Sequence, residues 1–362
     1  MRVLILANFG MGLYNFRREL IERLLEEEYE VYISSPVDKY ITKFESMGCK
    51  IVDTSVSRRG KNPVTDIRLI LHYKKIIREI NPNVVLTYTI KPNVYGGIAC
   101  SLLDVPYIAN ITGLGTAVEN GGLMQKITTM LYKFSLKKVN TLFFQNEENM
   151  NFFKRNRIAT NKHILLPGSG VNLDYFRILD YPVQKTVDFV FISRIMKQKG
   201  IDEYLETAKF IRDKYPQTRF HVCGFNEENY KNKLDEYQKK GIIINHNIIE
   251  DIREILKDIH CTIHPSYYPE GMSNVLLESA AAGRPIITTN RSGCREIVDD
   301  KVNGFIVEQE NSQDLIAKVE QFLELDFEAQ KSMGVSGRRK AEKEFDRKII
   351  VNMYLNMIGK IK

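Results

Sequence analysis

A repeated beat of short apolar run, turn and amphipathic helix constrains this chain more than any single residue does. In its first half the apolar runs are "RVLILA" (2–7), "YEVYISS" (29–35), "KIVD" (50–53), "NVVLTY" (83–88), "YIANI" (107–111) and "TLFFQ" (141–145). Helix-spaced segments at 14–28, 65–80 and 124–139 stand among them, the second stopped by Asn81-Pro82. Strands this short and apolar, alternating with helices, belong to a parallel sheet covered on both faces. The beat pauses over "LPGSGVNLDYFRILDYP" (166–182) and resumes with "VDFVFIS" (187–193), "RFHVCG" (219–224), "IIIN" (242–245), "CTIHP" (261–265) and "PIITT" (285–289). Helices are expected near 201–214, 227–240, 249–258, 273–282 and 312–325. The expected fold is α/β, with two doubly wound Rossmann-like domains, 1–167 and 168–345, facing across a cleft. Residues 346–362 form a last amphipathic helix that returns to the first domain. In open parallel sheets ligands bind beyond the carboxyl ends of the strands, so the residues that follow each strand are the ones to search.

At 362 residues the chain exceeds what one core usually serves, in agreement with two domains. Five cysteines, Cys49, Cys100, Cys223, Cys261 and Cys294, stand apart with no CxxC or Cys/His cluster, which argues against a disulfide framework or a zinc site and fits a reducing cytoplasm. The N-terminal "MRVLILANFGMG" ends in a glycine turn without a cleavage site, and no run approaches the roughly 18 apolar residues of a membrane span. Charge is uneven: residues 1–165 hold 23 Lys/Arg against 15 Asp/Glu, and the remainder 29 against 30. The basic excess gathers in "SRRGK" (57–61), "HYKKIIR" (72–78), "KFSLKKVN" (133–140) and "FFKRNR" (152–157). Basic and apolar residues alternate there, a pattern shared by anionic lipid surfaces and by solvated helix faces. No nucleic-acid recognition motif accompanies the charge, so nucleic acid is not expected as a partner.

"YYPEGMSNVLLESAAAGRP" (267–285) places Glu270 in a Pro/Gly turn and Glu278 inside the helix that follows. Eight residues on one helix amount to about 12 Å of rise, too far for a paired acid and base. With Pro269 and Gly271 around it, Glu270 is not helical, and a helix starting near Ser273 sets free backbone N–H groups between the two acids, where a phosphate could bind. One carboxylate would then reach hydroxyls on either side of a diphosphate, as in a nucleotide sugar. The same spacing also suits a dipole-favoured acid at a helix start plus an ordinary surface Glu. "SRIMKQKG" (193–200) brackets the turn after a strand with Arg194 and Lys199, two cations able to neutralise a leaving diphosphate or simply to face solvent. Gly10 and Gly12 sit between the first strand and its helix, but Asn15 breaks the GxGxxG fingerprint, which disfavours a dehydrogenase. A second glycine loop, "ANITGLGTAVENGG" (109–122), carries Thr112 and Gly113, and Gly224 ends another strand. DxD, HExxH, GxSxG and Walker A motifs are all absent, so no metal and no cofactor is expected, and phosphate neutralisation by Arg, Lys and helix termini remains.

Together these pieces resemble the retaining glycosyltransferases of family 4, which have the GT-B fold. The resemblance runs over nearly the whole chain and is most specific at Glu270 to Glu278 with the following "SAAAGRPIITTNRSGCREIV", supported by "SRIMKQKG" and "LPGSGVNLDYF". It implies that Glu270 meets hydroxyls of the donor sugar and Glu278 the ribose. Arg194 and Lys199 would hold the diphosphate, with the amides of Met272, Ser273, Asn274 and Val275 and the glycines Gly10, Gly12, Gly224 and Gly271 close to the donor. It also implies front-face attack rather than a glycosidase-like nucleophile. Many relatives carry His where this chain has Thr112, which leaves the contact at that edge of the sugar open. "SRRGKNPVTDIRLI", "IKPNVYGG" and "ITGLGTA" are similar to segments of enzymes that build surface polysaccharides or lipid-linked oligosaccharides from UDP-N-acetylhexosamines. By that likeness Arg58, Arg59, Lys61, Lys91, Asn15, Thr112 and Gly113 would line the acceptor side. The acceptor would be a polyprenyl-diphosphate-linked saccharide, and the enzyme would lie at the inner face of the plasma membrane against anionic lipid. A UDP-sugar 2-epimerase of the same architecture and a nucleotide-sugar-binding protein without turnover are the alternatives.

Overall fold

A computed structural model describes residues 1–54, 63–114, 118 and 121–361. The chain divides into two compact units: Met1–Gly170 with Pro269–Met272 and Arg347–Lys362, and Val171–Tyr268 with Ser273–Asp346. Strands of the first unit are β1 (Arg2–Leu6), β2 (Glu30–Ser35), β3 (Lys50–Asp53), β4 (Val84–Tyr88), β5 (Tyr107–Ile111), β6 (Thr141–Phe144) and β7 (His163–Leu165). Those of the second are β8 (Val187–Ile192), β9 (Thr218–Cys223), β10 (Ile244–Asn247), β11 (Cys261–His264), β12 (Ile286–Thr289) and β13 (Gly304–Val307). The sheets run β3-β2-β1-β4-β5-β6-β7 and β10-β9-β8-β11-β12-β13, and their strand pairs are parallel. Strand order therefore reverses between β1 and β4 in one unit and between β8 and β11 in the other.

Alternation along β1 explains the first core. Leu4 and Leu6 join one buried cluster with Val85 and Ala109, while Val3 and Ile5 join another with Val84 and Leu86, so each face of the sheet carries its own apolar layer. The helix Arg347–Gly359 supplies Ile350, Val351, Tyr354 and Ile358 to the second of these layers. Hydrogen bonds tie it at its start and in its middle. The Tyr354 hydroxyl accepts from Asn110 Nδ2 at 2.6 Å, and Arg347, buried, donates to the carbonyls of Asn15 and Gly170 and to the Glu19 carboxylate at 2.9 Å. Removing one partner of a buried charge pair is costly, because the other loses its compensation. Arg347→Met should thus cost about 2–4 kcal/mol in urea unfolding. A loss under about 1 kcal/mol would mean that apolar contacts alone hold the helix.

Several expected elements shift for identifiable reasons. Gly10-Met11-Gly12 is not a turn but the first turn of the helix Gly10–Glu26. Gly10 is buried beside the Asp38 carboxylate, which accepts from the Tyr40 and Ile41 amides at 2.9 Å, so its missing side chain makes room for Asp38. The helix expected at 227–240 begins only at Lys231, because Glu227 and Glu228 are drawn to Arg194 and to the Lys197 amide. The segment 249–258 condenses to Arg253–Leu256. The strands β7 and β13 and the helices Glu147–Arg155 and Phe327–Glu344 were not among the expected elements.

Candidate active site

In the second unit the chemistry-bearing segments converge where the strand order turns. Arg194 and Lys199 follow β8, and Tyr268 follows its neighbour β11. The Tyr268 ring accepts both cations: Arg194 Cζ and Lys199 Nζ each lie 4.9 Å from its centroid. Arg194 is further fixed by donating from Nη1 to Glu227 Oε2 at 2.6 Å. Lys199 is only 6% exposed, and its burial pushes the ammonium pKa down to about 7, with the Arg194 guanidinium working in the same direction. His264, at the end of β11, is buried as well, and its pKa is held down at about 3 by burial and then by Lys199, so its imidazole is neutral. Its Nε2 lies 3.4 Å from Ser273 Oγ.

Ser273 caps the helix Asn274–Ala281 in an extended conformation and makes no side-chain cap bond, and no acid stands in the first turn. The N–H groups that open a helix have no partner within it, and the helix dipole adds to their pull on an anion. One of the four amides expected to serve a phosphate is otherwise engaged, since Ser273 N donates to Gly293 O at 2.7 Å. Glu296 fixes that turn by accepting from Ser292 Oγ and Gly293 N. Asn274 and Val275 therefore carry the helix-start amides on this side. Glu278, half-buried, stands in the second turn of the same helix. Gly224 follows β9, and its amide is spent on Asn247 O at 2.7 Å.

The segment Pro269–Met272 is grouped with the first unit, where side chains after β6 hold its backbone. Asn146, the cap of the helix Glu147–Arg155, donates from Nδ2 to the carbonyls of Glu270 at 2.9 Å and Gly271 at 2.5 Å, and Asn149 Nδ2 reaches Glu270 O at 3.4 Å. A Cβ on Gly271 would run into Gln145 Oε1 and the Thr112 carbonyl, so only glycine fits there. Gly113 lies against the same backbone. Thr112 is thus placed beside the Glu270 turn through its carbonyl, while the residue itself stays exposed. Met272 is buried against Gly168.

Other expected site residues are less available. Lys91 is paired with Asp66 at 2.8 Å, both side chains being mostly buried. Gly12 and Asn15 lie on the helix Gly10–Glu26, and the Asn15 carbonyl holds Arg347. Arg58, Arg59 and Lys61 lie outside the described residues. Sequence reasoning missed Tyr268, His264, Glu227 and Asn146. Tyr268 stands in the quoted motif, but nothing local connects it to Arg194 and Lys199. Nothing local connects Glu227 to Arg194.

Two doubly wound parallel sheets, each with a point where its strand order reverses, define the GT-B fold class. Two family comparisons agree: Glycosyl transferase 4-like matches residues 2–146 and Glycosyl transferases group 1 matches residues 181–340. The chain belongs to these family 4-like, group 1 glycosyltransferases. It is 26% identical, over all of its length and 99% of the relative's, to the N,N'-diacetylbacillosaminyl-diphospho-undecaprenol alpha-1,3-N-acetylgalactosaminyltransferase of Campylobacter jejuni. It is 25% identical, over 82% of its length and 81% of the relative's, to the UDP-Gal:alpha-D-GlcNAc-diphosphoundecaprenol alpha-1,3-galactosyltransferase of Escherichia coli. Among solved structures, Anabaena HepE in complex with UDP superposes with a TM-score of 0.82 at 15% identity, covering 99% of this chain and 100% of that one.

Proposed function

We propose that this enzyme moves a sugar, an N-acetylhexosamine, from a UDP-sugar to a polyprenyl-diphosphate-linked saccharide at a membrane surface. The transfer would retain configuration and need no divalent metal. The observation that carries the reading is the meeting of Arg194 and Lys199 on Tyr268 at the switch point of the second sheet, whose β11 also leads to the start of the helix Asn274–Ala281. Two relatives whose names specify undecaprenol-diphosphate acceptors support the acceptor class. In this reading Arg194, Lys199 and the amides of Asn274 and Val275 take up the charge that develops on the departing diphosphate, the largest electrostatic demand of the reaction. Lys199 is fitted to that task, since burial holds its pKa down to about 7 and an arriving diphosphate would favour the charged ammonium. Glu278 binds the ribose hydroxyls. Glu270, its backbone clamped by Asn146, positions the sugar so that the acceptor attacks from the face that the diphosphate leaves, with the departing phosphate taking the acceptor's proton.

A thermal-shift screen of UDP-, GDP- and ADP-sugars in the presence of EDTA tests the donor side. A ligand at 100 times its Kd stabilises by about 2.7 kcal/mol, so the correct nucleotide should stand out. The best donor is then given to short polyprenyl diphosphate sugars, with release of UDP and the anomeric configuration of the product read together. Stabilisation by UDP-sugars that vanishes with EDTA would overturn the metal-free reading. Conversion of the donor sugar without acceptor would point to an epimerase instead.

A further inference from the structure

The helix Gly122–Ser135 of the first unit is built the wrong way round for a surface helix. Such a helix normally turns its apolar stripe to the core and its polar face to water. Here the buried positions are Thr129, Tyr132 and Ser135, whereas Leu123, Ile127, Met130 and Phe134 are exposed, three of them by two-thirds or more of their surface (72%, 68% and 67% for Leu123, Met130 and Phe134). Spacings of four, three and four put these residues in one stripe. Lys126 and Lys133 lie along one flank of it, Lys137 follows in the turn just past the helix end, and no acidic residue occurs from 120 to 146. The helix packs against the turn Pro92–Gly96, as does the helix Pro63–Ile80, which exposes Ile67 and Leu71 beside Arg68. Scattered exposed apolar residues need no explanation, but a stripe with a cationic border does.

We infer that this face docks on an anionic lipid bilayer, with the Leu123–Phe134 stripe seated among the acyl chains and the lysines at the headgroups. The charge decides between occupants. A second copy laid against the stripe would bring one lysine row against another with no acid to meet it, whereas an anionic bilayer supplies the missing charge along the whole helix. No helix among the described residues is long and apolar enough to cross a membrane, so the contact is of the in-plane kind that an amphipathic helix makes. The inference rests on the lipid-linked acceptor proposed above for its purpose, but binding can be measured without donor or acceptor, so its failure would leave the transferase reading intact.

The chain contains no Trp, so Phe134→Trp introduces a single indole reporter. With vesicles of phosphatidylcholine and phosphatidylglycerol its emission should move to the blue and be quenched by bromolipids. Pure phosphatidylcholine should give a weaker response. Phe210→Trp, at an exposed position of the second unit, should not respond. Lys126→Gln/Lys133→Gln/Lys137→Gln should lower partitioning about 100-fold, from about 1 kcal/mol per lysine near an anionic surface. Met130→Asp/Phe134→Asp should lose binding while keeping the unfolding temperature, since both side chains are exposed. An indole that stays water-exposed on anionic vesicles, whether or not the protein co-sediments, overturns the inference. So does a blue shift that appears without lipid as protein concentration rises, which would mark self-association.

Discussion

Lys199→Met should raise the unfolding temperature of the unligated protein and at the same time remove most of its turnover. In the folded chain the Lys199 ammonium gives up its proton near pH 7, far below its ordinary value of 10.5. Between those two pH values the unfolded chain binds more protons than the folded one, so this residue makes stability rise with pH across that window. Below pH 7 both states are protonated and the whole cost of burying the charge is felt. Methionine has a similar stem and no charge, so the gain should be greatest near pH 6, at about 2–4 kcal/mol. The loss appears with substrate. If the diphosphate meets Lys199, binding must bring the proton back, and affinity for UDP should fall by up to tenfold per unit as pH rises from 7 to 9. Calorimetry at pH 8 in buffers of different ionisation enthalpy should then show uptake of close to one proton per UDP in the native enzyme and none in Lys199→Met. The variant's kcat/KM should drop about 10²- to 10³-fold, the usual scale for losing one preorganised electrostatic contact. An affinity that is flat from pH 7 to 9, with no proton uptake, would remove Lys199 from the diphosphate site.

Burial on a sheet decides which parts of the molecule are legible in the sequence. Apolar strands and amphipathic helices advertise themselves because burial on a sheet imposes a period, and the first six strands and five of the second unit's six were found that way. His163–Leu165 was missed because a three-residue edge strand has no period to show, and Gly304–Val307 because it hides among turn residues. Phe327–Glu344 was missed because Gly334 and Gly337 and a crowd of charges blur its apolar stripe. At the candidate site, Arg194, Lys199, Glu270 and Glu278 were legible because each stands in a short motif after a strand. What could not be read was the set of partners that gives them their chemistry. Tyr268 under two cations and Glu227 holding Arg194 exist only once β8, β9 and β11 lie side by side. The Asn146 clamp on the Glu270 backbone crosses more than a hundred residues of chain. The inverted helix at 122–135 is half-legible: the basic run that begins at Lys133 stands out in the sequence, but only the exposure of Leu123, Met130 and Phe134 shows which side faces outward.

The second large effect separates the two acids. Glu278→Ala should weaken UDP binding by about 10- to 100-fold, the value of a charge-assisted hydrogen bond or two to ribose hydroxyls, while bound donor still turns over at a substantial rate. Glu270→Ala should leave UDP affinity within about twofold but lower kcat by about 10²- to 10³-fold, because an interaction that positions the sugar for reaction is lost in the transition state and hardly at all for the nucleotide alone. The backbone of the Glu270 turn should survive the change, since Asn146 and Asn149 hold it through carbonyls and Gly271 passes Thr112 and Gln145 without needing the Glu270 side chain. Glu270→Gln then distinguishes charge from hydrogen bonding. If hydroxyl recognition is the role, Gln should restore part of kcat, whereas a need for the negative charge would leave it as poor as Ala. Calorimetry with UDP and single-turnover rates with donor and acceptor give both quantities for each variant. Equal losses of UDP affinity in Glu270→Ala and Glu278→Ala would sink the division, and both acids would then have to be assigned to the nucleotide.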